Sequence, residues 1–126
     1  MAVVGMCLTG GFALALIADD AVLAPVVAQP WLPFIHRGAL GLSPVDAGAV
    51  RARTAALGSG CVLAIRYAGD RIAPRARIDT IRALIGPALC YVELPGGRHA
   101  TLTDDRYPTA LSETIAFLSE RLRPPA

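Results

Sequence analysis

The sequence contains neither lysine nor asparagine, so arginine supplies all twelve basic side chains. Ten acidic residues leave a net charge of only +2, and neither sign forms a run along the chain. A basic stripe or tail that could track a phosphate backbone is therefore missing. We expect no nucleic-acid partner.

Cysteine is also scarce: the chain has three, and an odd number cannot all pair in disulfides. Cys7 lies at a predicted turn, whereas Cys61 and Cys90 fall inside predicted strands, where a free cysteine is usually a small buried hydrophobe. This pattern excludes a disulfide scaffold. The sequence has no C-x-x-C motif or Cys/His cluster, so we expect neither a metal ion nor a cofactor.

No basic residue precedes Arg37, so the positively charged start of a signal peptide is missing. The apolar opening is also too interrupted for a membrane span, which needs ~20 consecutive apolar residues. Glycines at positions 5, 10 and 11 and aspartates at 19 and 20 break it up. We expect a cytoplasmic protein with no membrane partner.

What the sequence does contain is an alternation of short apolar runs with amphipathic stretches. With 54% hydrophobic and 17% charged residues, residues 1–126 are predicted to form a single α/β domain. The predicted order is strand 2–6, helix 11–18, strand 21–28, helix 44–57, strand 61–67, helix 74–85, strand 89–94 and helix 110–121. This alternation predicts an open parallel four-stranded sheet in sequential order with flanking helices.

Two local features of this prediction concern individual residues. Pro25 lacks a backbone N–H, so it indicates a strand start, a bulge or an edge, and a short usable strand. In the predicted helix 74–85, isoleucines form one apolar face, and the periodicity puts Arg75, Arg77 and Arg82 on the solvated side.

The stretch 2–11 places a cysteine at the turn between a strand and a helix. The apolar run Ala-Val-Val leads directly into Gly-Met-Cys-Leu-Thr-Gly-Gly, and an apolar helical pattern follows. This is the spacing of a nucleophile elbow, a strained turn that needs small residues on both sides of the nucleophile. Gly5, Thr9 and Gly10 satisfy that need around Cys7.

The motif G-x-C-x-x-G-G after an apolar strand resembles the dienelactone hydrolase family of the α/β-hydrolase fold, which uses cysteine where most relatives use serine. In that fold an acid and then a histidine follow the nucleophile, each after a later strand. Asp70 follows an apolar run and Gly69, and His99 ends a glycine-rich loop after another apolar run, as in the family. The resemblance implies that Cys7 is the nucleophile, Asp70 the acid and His99 the base.

The implied function is hydrolysis of a small carboxylic ester or lactone through a Cys-His-Asp triad. All three residues follow predicted strands at their carboxyl ends, the edge at which open α/β sheets bind ligands. A redox-sensing role for Cys7 at a helix N-terminus is an alternative, but no resolving cysteine lies nearby in sequence. Such a role would not require Asp70 and His99 in this order.

The residues that would bind the substrate resemble the family less closely than the triad does. The family has an arginine four residues after the histidine, which holds a substrate carboxylate, whereas this chain has Thr103. Arg98 either replaces that arginine or is an exposed loop residue. Trp31 and Phe34, in the proline-rich loop after the second strand, either line the substrate site or cover the edge of the core.

The resemblance covers only the C-terminal half of an α/β-hydrolase, because several strands normally precede the elbow strand, which here starts at residue 2. The missing N-terminal strands would bring the loop that donates one oxyanion-hole N–H, which leaves the backbone N–H of Leu8 as the donor that can be named. The elbow strand would also be an exposed apolar edge. We therefore expect self-association or pairing with an N-terminal half. The alternative is a truncated, non-catalytic half-domain.

Overall fold

Four strands alternate with four α-helices in the computed structural model, which describes residues 1–31 and 39–125. They are β1 (Ala2–Met6), α1 (Gly10–Ala15), β2 (Ala24–Ala28), α2 (Pro44–Leu57), β3 (Val62–Tyr67), α3 (Arg75–Ile85), β4 (Leu89–Leu94) and α4 (Pro108–Arg121). Short 3-10 turns cover Cys7–Thr9, Leu16–Ala18 and Gly86–Ala88. The predicted alternation of strands and helices is confirmed.

The strands form one parallel sheet in the order β1-β2-β3-β4, as the sequence predicts. In register, Val4 lies beside Val26, Val26 beside Leu63 and Leu63 beside Cys90. Within the described residues, one α-helix lies between each pair of consecutive strands, the kind of crossover that parallel strands require. The carboxyl ends of all the strands therefore meet at one edge of the sheet.

Helices cover both faces of the sheet, so β2 and β3 are buried along their whole length. On one face, Leu14 of α1, Val50 of α2 and Ile78 of α3 join a single apolar cluster. On the other face, Ala110 of α4 belongs to the cluster that includes Leu63. This two-sided cover is why the central strands are nearly continuous apolar runs rather than alternating ones.

The two outer strands are less well covered. Within the described residues, β1 pairs with β2 alone, and its Val4 side chain is 45% exposed. Cys61 is buried as predicted, but the prediction that Cys90 is buried is wrong. Cys90 does lie in β4, which within residues 1–31 and 39–125 pairs with β3 alone and forms the other outer strand of the sheet.

The start of β2 differs from the prediction, because the strand begins at Ala24 rather than at residue 21. The chain first turns at Asp19, whose side-chain Oδ1 accepts the N–H of Ala21 at 2.8 Å and whose carbonyl accepts the N–H of Val22 at 3.0 Å. Aspartate commonly forms such a turn with its own backbone. The apolar residues after it do not reveal where the turn ends.

Pro25 lies near the start of a short strand, as the sequence indicates. It pairs in register with Val3 of β1, and the pairing of β2 with β3 begins only at Val26. A missing N–H is tolerated at such a position.

The solvated position predicted for Arg77 is wrong, since this residue is buried. Its Nε donates to the carbonyl of Ala39 at 3.1 Å, and its Nη1 donates to that of Pro30 at 3.3 Å. These carbonyl partners compensate the guanidinium for the hydration that it loses on burial. Helical periodicity carries no information about such distant partners.

Across residues 1–31 and 39–125, no helix is both long and apolar enough to cross a membrane.

We predict that Leu14→Ala lowers the free energy of unfolding by about 2–5 kcal/mol, because Leu14 is fully buried between α1 and the sheet. Leu16→Ala is the matched control, since Leu16 is 48% exposed and its truncation is expected to change stability by less than about 0.5 kcal/mol. Urea unfolding followed by circular dichroism measures both. Equal losses in the two variants would contradict the packing of α1 described above.

Candidate active site

The turn after β1 holds Cys7 in a left-handed backbone conformation, with φ at +54°. Residues with a side chain rarely adopt this conformation, and it persists only where the surrounding structure enforces it. Thr9 enforces it locally: its Oγ1 accepts the N–H of Met6 and donates to the Met6 carbonyl, each at 2.9 Å. A cysteine at such a strand-to-helix turn projects its sulfur away from both elements.

Two glycines let the neighbouring backbones pass this turn. A Cβ on Gly5 would lie 2.7 Å from the Cβ of Ala13, and a Cβ on Gly10 would lie 2.8 Å from the Cα of Pro30. Real Cβ atoms are not found so close to other carbons, so both positions exclude larger residues. The first contact brings α1 against β1, and the second brings α1 against the end of β2.

The side chains of Cys7, His99 and Asp70 lie in a line at the carboxyl edge of the sheet. Nε2 of His99 is 3.0 Å from Sγ of Cys7, and Nδ1 of His99 is 2.6 Å from Oδ2 of Asp70. Each residue follows a different strand, β1, β3 or β4. Positions far apart in sequence meet here because parallel strands end at the same edge.

Asp70 is oriented by hydrogen bonds to its second oxygen. Its Oδ1 accepts the N–H groups of Ile72 at 2.8 Å and Ala73 at 3.0 Å, which leaves Oδ2 for His99. The Asp70 side chain is 1% exposed, whereas that of His99 is 21% exposed. A carboxylate at Nδ1 favours the tautomer that carries its proton there, so Nε2 is free to accept the proton of the Cys7 thiol.

A buried arginine fixes the loop that carries Asp70. The guanidinium of Arg66, in β3, donates to the carbonyls of Ala73 at 3.0 Å, Asp70 at 3.1 Å and Ala68 at 3.3 Å. Nη1 of Arg66 is also 3.4 Å from Oε1 of Glu93, in the neighbouring strand. Arg66 thus binds the backbone of this loop on both sides of the carboxylate.

The loop that carries His99 is held from two directions. Asp105 accepts the N–H of His99 at 3.2 Å, and that hydrogen bond is the main reason why the pKa of Asp105 is lowered. Tyr67, in β3, donates its hydroxyl to the backbone carbonyl of Asp105, and burial raises the pKa of this phenol. Directly after β2, Oε1 of Gln29 accepts the Thr101 hydroxyl at 2.6 Å.

The remaining residues predicted for the site lie around this line or outside the described residues. Leu8 follows Cys7 in the first turn of a 3-10 helix, whose leading N–H groups have no carbonyl partner within the helix. The backbone N–H of Trp31 donates to the Cys7 carbonyl at 3.3 Å, and Trp31 is half-buried. The Arg98 side chain is 71% exposed, 3.9 Å from Oδ1 of Asp105. Phe34 lies outside the described residues.

An apolar groove of about 240 Å³ lies beside α1. Among the described residues, it is bordered by Leu8, Gly11, Phe12, Ala15, Leu40, Gly41 and Leu42, none of which is charged. Since Leu8 follows Cys7 directly, the groove begins next to the elbow. Hydropathy alone does not distinguish apolar residues that line a groove from residues of the core.

The other two cysteines lie near the amino ends of their strands, at the edge opposite Cys7. Burial raises the pKa of the Cys61 thiol, whose Sγ is 3.8 Å from the Thr54 carbonyl. Cys90 is exposed. In the part of the chain that the structure describes, no group of three or more His, Cys, Asp and Glu side chains could hold a metal ion.

Sequence reasoning missed three residues that support this arrangement: Gln29, Arg66 and Asp105. Arg66 could have been noticed, because an arginine inside an otherwise apolar strand is seldom buried unless it has polar partners. The sequence indication for Gln29 is weaker: it is a polar residue directly after a buried strand. Nothing in the sequence distinguishes Asp105, since it is one of several polar residues in a loop.

Comparison with solved structures supports the fold. The chain matches the crystal structure described as "Putative Dienelactone Hydrolase from Klebsiella pneumoniae subsp. pneumoniae MGH 78578" with a TM-score of 0.62 and 17% sequence identity. The match covers 95% of this chain and 50% of that chain. The chain therefore spans half the length of the hydrolase that it matches, and the predicted resemblance to half of this fold is confirmed.

Sequence comparisons add no further relative. No protein-family model matches the chain, and no curated protein matches it significantly.

We predict that Arg66→Met strongly destabilises the chain, on the order of 1–3 kcal/mol for each buried carbonyl that loses its donor. Arg75→Met is the matched control, because Arg75 also lies 3.5 Å from Oε1 of Glu93 but its side chain is 58% exposed. An exposed ion pair contributes at most about 1 kcal/mol. Urea unfolding compares the two, and similar losses would mean that Arg66 acts only through Glu93.

Proposed function

We propose that the chain carries the Cys-His-Asp triad of a hydrolase that cleaves a carboxylic ester or lactone. The observation that supports this most is the unbroken line of contacts from the Asp70 carboxylate, through both nitrogens of His99, to the Cys7 sulfur. A thiol, an imidazole and a carboxylate in this order form an activated nucleophile. The match to half of a hydrolase fold agrees with the proposal.

In the proposed first half-reaction, Nε2 of His99 takes the thiol proton as Sγ of Cys7 attacks the carbonyl carbon. The oxyanion of the tetrahedral intermediate accepts a hydrogen bond from the backbone N–H of Leu8. When the intermediate collapses, the bond to the leaving oxygen breaks, and His99 returns the proton to that oxygen. The products are an alcohol and a thioester on Cys7. With a lactone, the alcohol stays attached to the acyl group.

In the second half-reaction, a water molecule attacks the thioester carbonyl and gives its proton to His99. The second intermediate expels the Cys7 sulfur, which regains a proton from His99 as the carboxylic acid departs. Throughout, the Asp70 carboxylate stays ionised, accepts the hydrogen bond of the Nδ1–H group and stabilises the imidazolium. Its burial and its two backbone N–H partners keep it in place for this role.

The substrate of this proposal is a small, mainly apolar ester or lactone. None of the described residues that line the groove beginning at Leu8 is charged, and Thr103 stands where the family has an arginine for a substrate carboxylate. We propose that the Trp31 side chain lines the substrate site. From the sequence alone, we propose the same role for Phe34. Arg98 is the candidate contact for a polar substituent, although it lies next to Asp105.

We propose in addition that the working enzyme needs a partner along β1, either an N-terminal half or a second copy. Within the described residues, the outer edge of β1 has no strand beside it. Several apolar side chains are exposed on β1, the elbow, α1 and the 3-10 turn after α1, namely Val4, Leu8, Phe12 and Leu16. We propose that this partner brings the second oxyanion donor, since the loss of one such donor lowers the rate about 100-fold to 1,000-fold. A truncated, non-catalytic half-domain is the competing proposal.

We predict that p-nitrophenyl acetate acetylates Cys7 in a Cys90→Ser chain, with a burst of p-nitrophenolate and slow turnover. Cys90 is replaced because it is exposed and would react by itself. Cys7→Ala abolishes the burst, and His99→Ala slows it about 100-fold, the usual contribution of a general base. Stopped-flow absorbance measures the burst, and peptide mass spectrometry locates the acetyl group.

Cys61→Ala is the control for this experiment. Cys61 is buried with a raised pKa, so its loss is expected to reduce stability without changing the burst. An undiminished burst in Cys7→Ala would overturn the hydrolase proposal. A burst that His99→Ala leaves unchanged would remove His99 from the mechanism.

We predict that residues 1–126 alone form oligomers through β1. Val4→Lys puts a charge on the exposed face of this edge strand, where charge opposes strand pairing, and shifts the chain towards monomer. Ile115→Lys is the matched control, because Ile115 is 54% exposed but lies on helix α4 rather than on an edge strand. Light scattering measures the mass. A wild-type monomer with rapid, Cys7-dependent turnover would contradict the need for a partner.

A further inference from the structure

His99 lies in a loop of turns and bends between β4 and α4, without a regular element to fix it. In such a loop the direction of the imidazole depends on where the backbone N–H and carbonyl of His99 point. Asp70 and Cys7 contact only the two ends of the ring. A third contact, to the backbone, is therefore needed to define the position of the ring.

Asp105 supplies that contact with a single oxygen. Its Oδ2 accepts the N–H of His99 at 3.2 Å and the N–H of Ala100 at 3.3 Å. The two N–H groups lower the pKa of Asp105, so the carboxylate is fully ionised at neutral pH. The other oxygen, Oδ1, faces the exposed guanidinium of Arg98 at 3.9 Å.

Asp105 is itself attached to the strand that leads to Asp70. The hydroxyl of Tyr67, the last residue of β3, donates to the Asp105 carbonyl. The N–H of Asp105 donates to the carbonyl of Ala100 at 3.2 Å, which closes the loop on itself. The backbone of His99 is thereby tied, through Asp105 and Tyr67, to the same strand that positions Asp70.

We infer that Asp105 is a positioning residue for His99: its carboxylate sets the backbone from which the imidazole reaches both Asp70 and Cys7. This inference rests on the function proposed above and adds a residue that touches neither substrate nor the reacting atoms. The acceptor of the two N–H groups is a single oxygen. A neutral amide oxygen in the same place can therefore replace it.

The test uses alkylation of Cys7 by iodoacetamide, which needs no ester, no oxyanion hole and no partner half. In the Cys90→Ser chain at pH 7, Asp105→Ala is expected to slow alkylation about tenfold, within the range of coupling between contacting residues. Asp105→Asn is expected to stay within about twofold, because its Oδ1 accepts the same N–H groups. Asp104→Ala, in the same loop, is the matched control and is expected to have no effect.

A double-mutant cycle separates positioning from general loosening of the loop. If Asp105 acts through His99, Asp105→Ala has no further effect on alkylation once His99 is alanine. The same slowing in both backgrounds, or full-speed alkylation in Asp105→Ala, overturns the inference and leaves the proposed function standing. Alkylation that His99→Ala does not slow overturns the proposed function instead. Thermal unfolding of each variant verifies that the chain is folded.

Discussion

The left-handed turn at Cys7 is the constraint on which the rest of the arrangement depends. A nucleophile in that conformation requires the close approach of α1 to β1 at Gly5 and to the end of β2 at Gly10. Those contacts fix where the sulfur lies relative to the carboxyl edge of the sheet. The loop after β3 then places an acid at that point and the loop after β4 places a histidine there. Hydrogen bonds from Arg66 and Tyr67 of β3 hold both loops.

The parts of the fold that the sequence predicts are those determined by local pattern. β4 has the predicted bounds because a turn precedes its apolar run and glycines follow it. Arg77 and Cys90 were predicted wrongly for one physical reason: burial depends on neighbours that are distant along the chain. A periodicity shows which side chains share a face. It does not show whether a backbone carbonyl from elsewhere in the chain lies against that face, or whether the strand is the last one of the sheet.

In the candidate site, too, local pattern identifies some residues, whereas others depend on contacts between distant parts of the chain. Cys7, Asp70 and His99 could be identified because each follows a recognisable strand and turn, and the topology brings strand ends together. Their supports could not be identified, because a loop contact such as that of Gln29 with Thr101 joins residues 72 positions apart and has no sequence pattern. Local motifs therefore identify the residues proposed to react, whereas long-range polar contacts decide how precisely those residues are held.

The elbow follows directly from β1, the strand whose outer edge is free within the described residues. A strand added to that edge would form hydrogen bonds with the same backbone that orients Cys7. Binding there and the geometry of the thiol are then thermodynamically linked: a ligand that favours one state of β1 stabilises it by mass action. If a strand added there changes the equilibrium of the acylation proposed for Cys7, reciprocity requires that the acyl group change the affinity of β1 for that strand by the same factor. The proposed chemistry at Cys7 would then alter how tightly the sheet holds a strand at this edge.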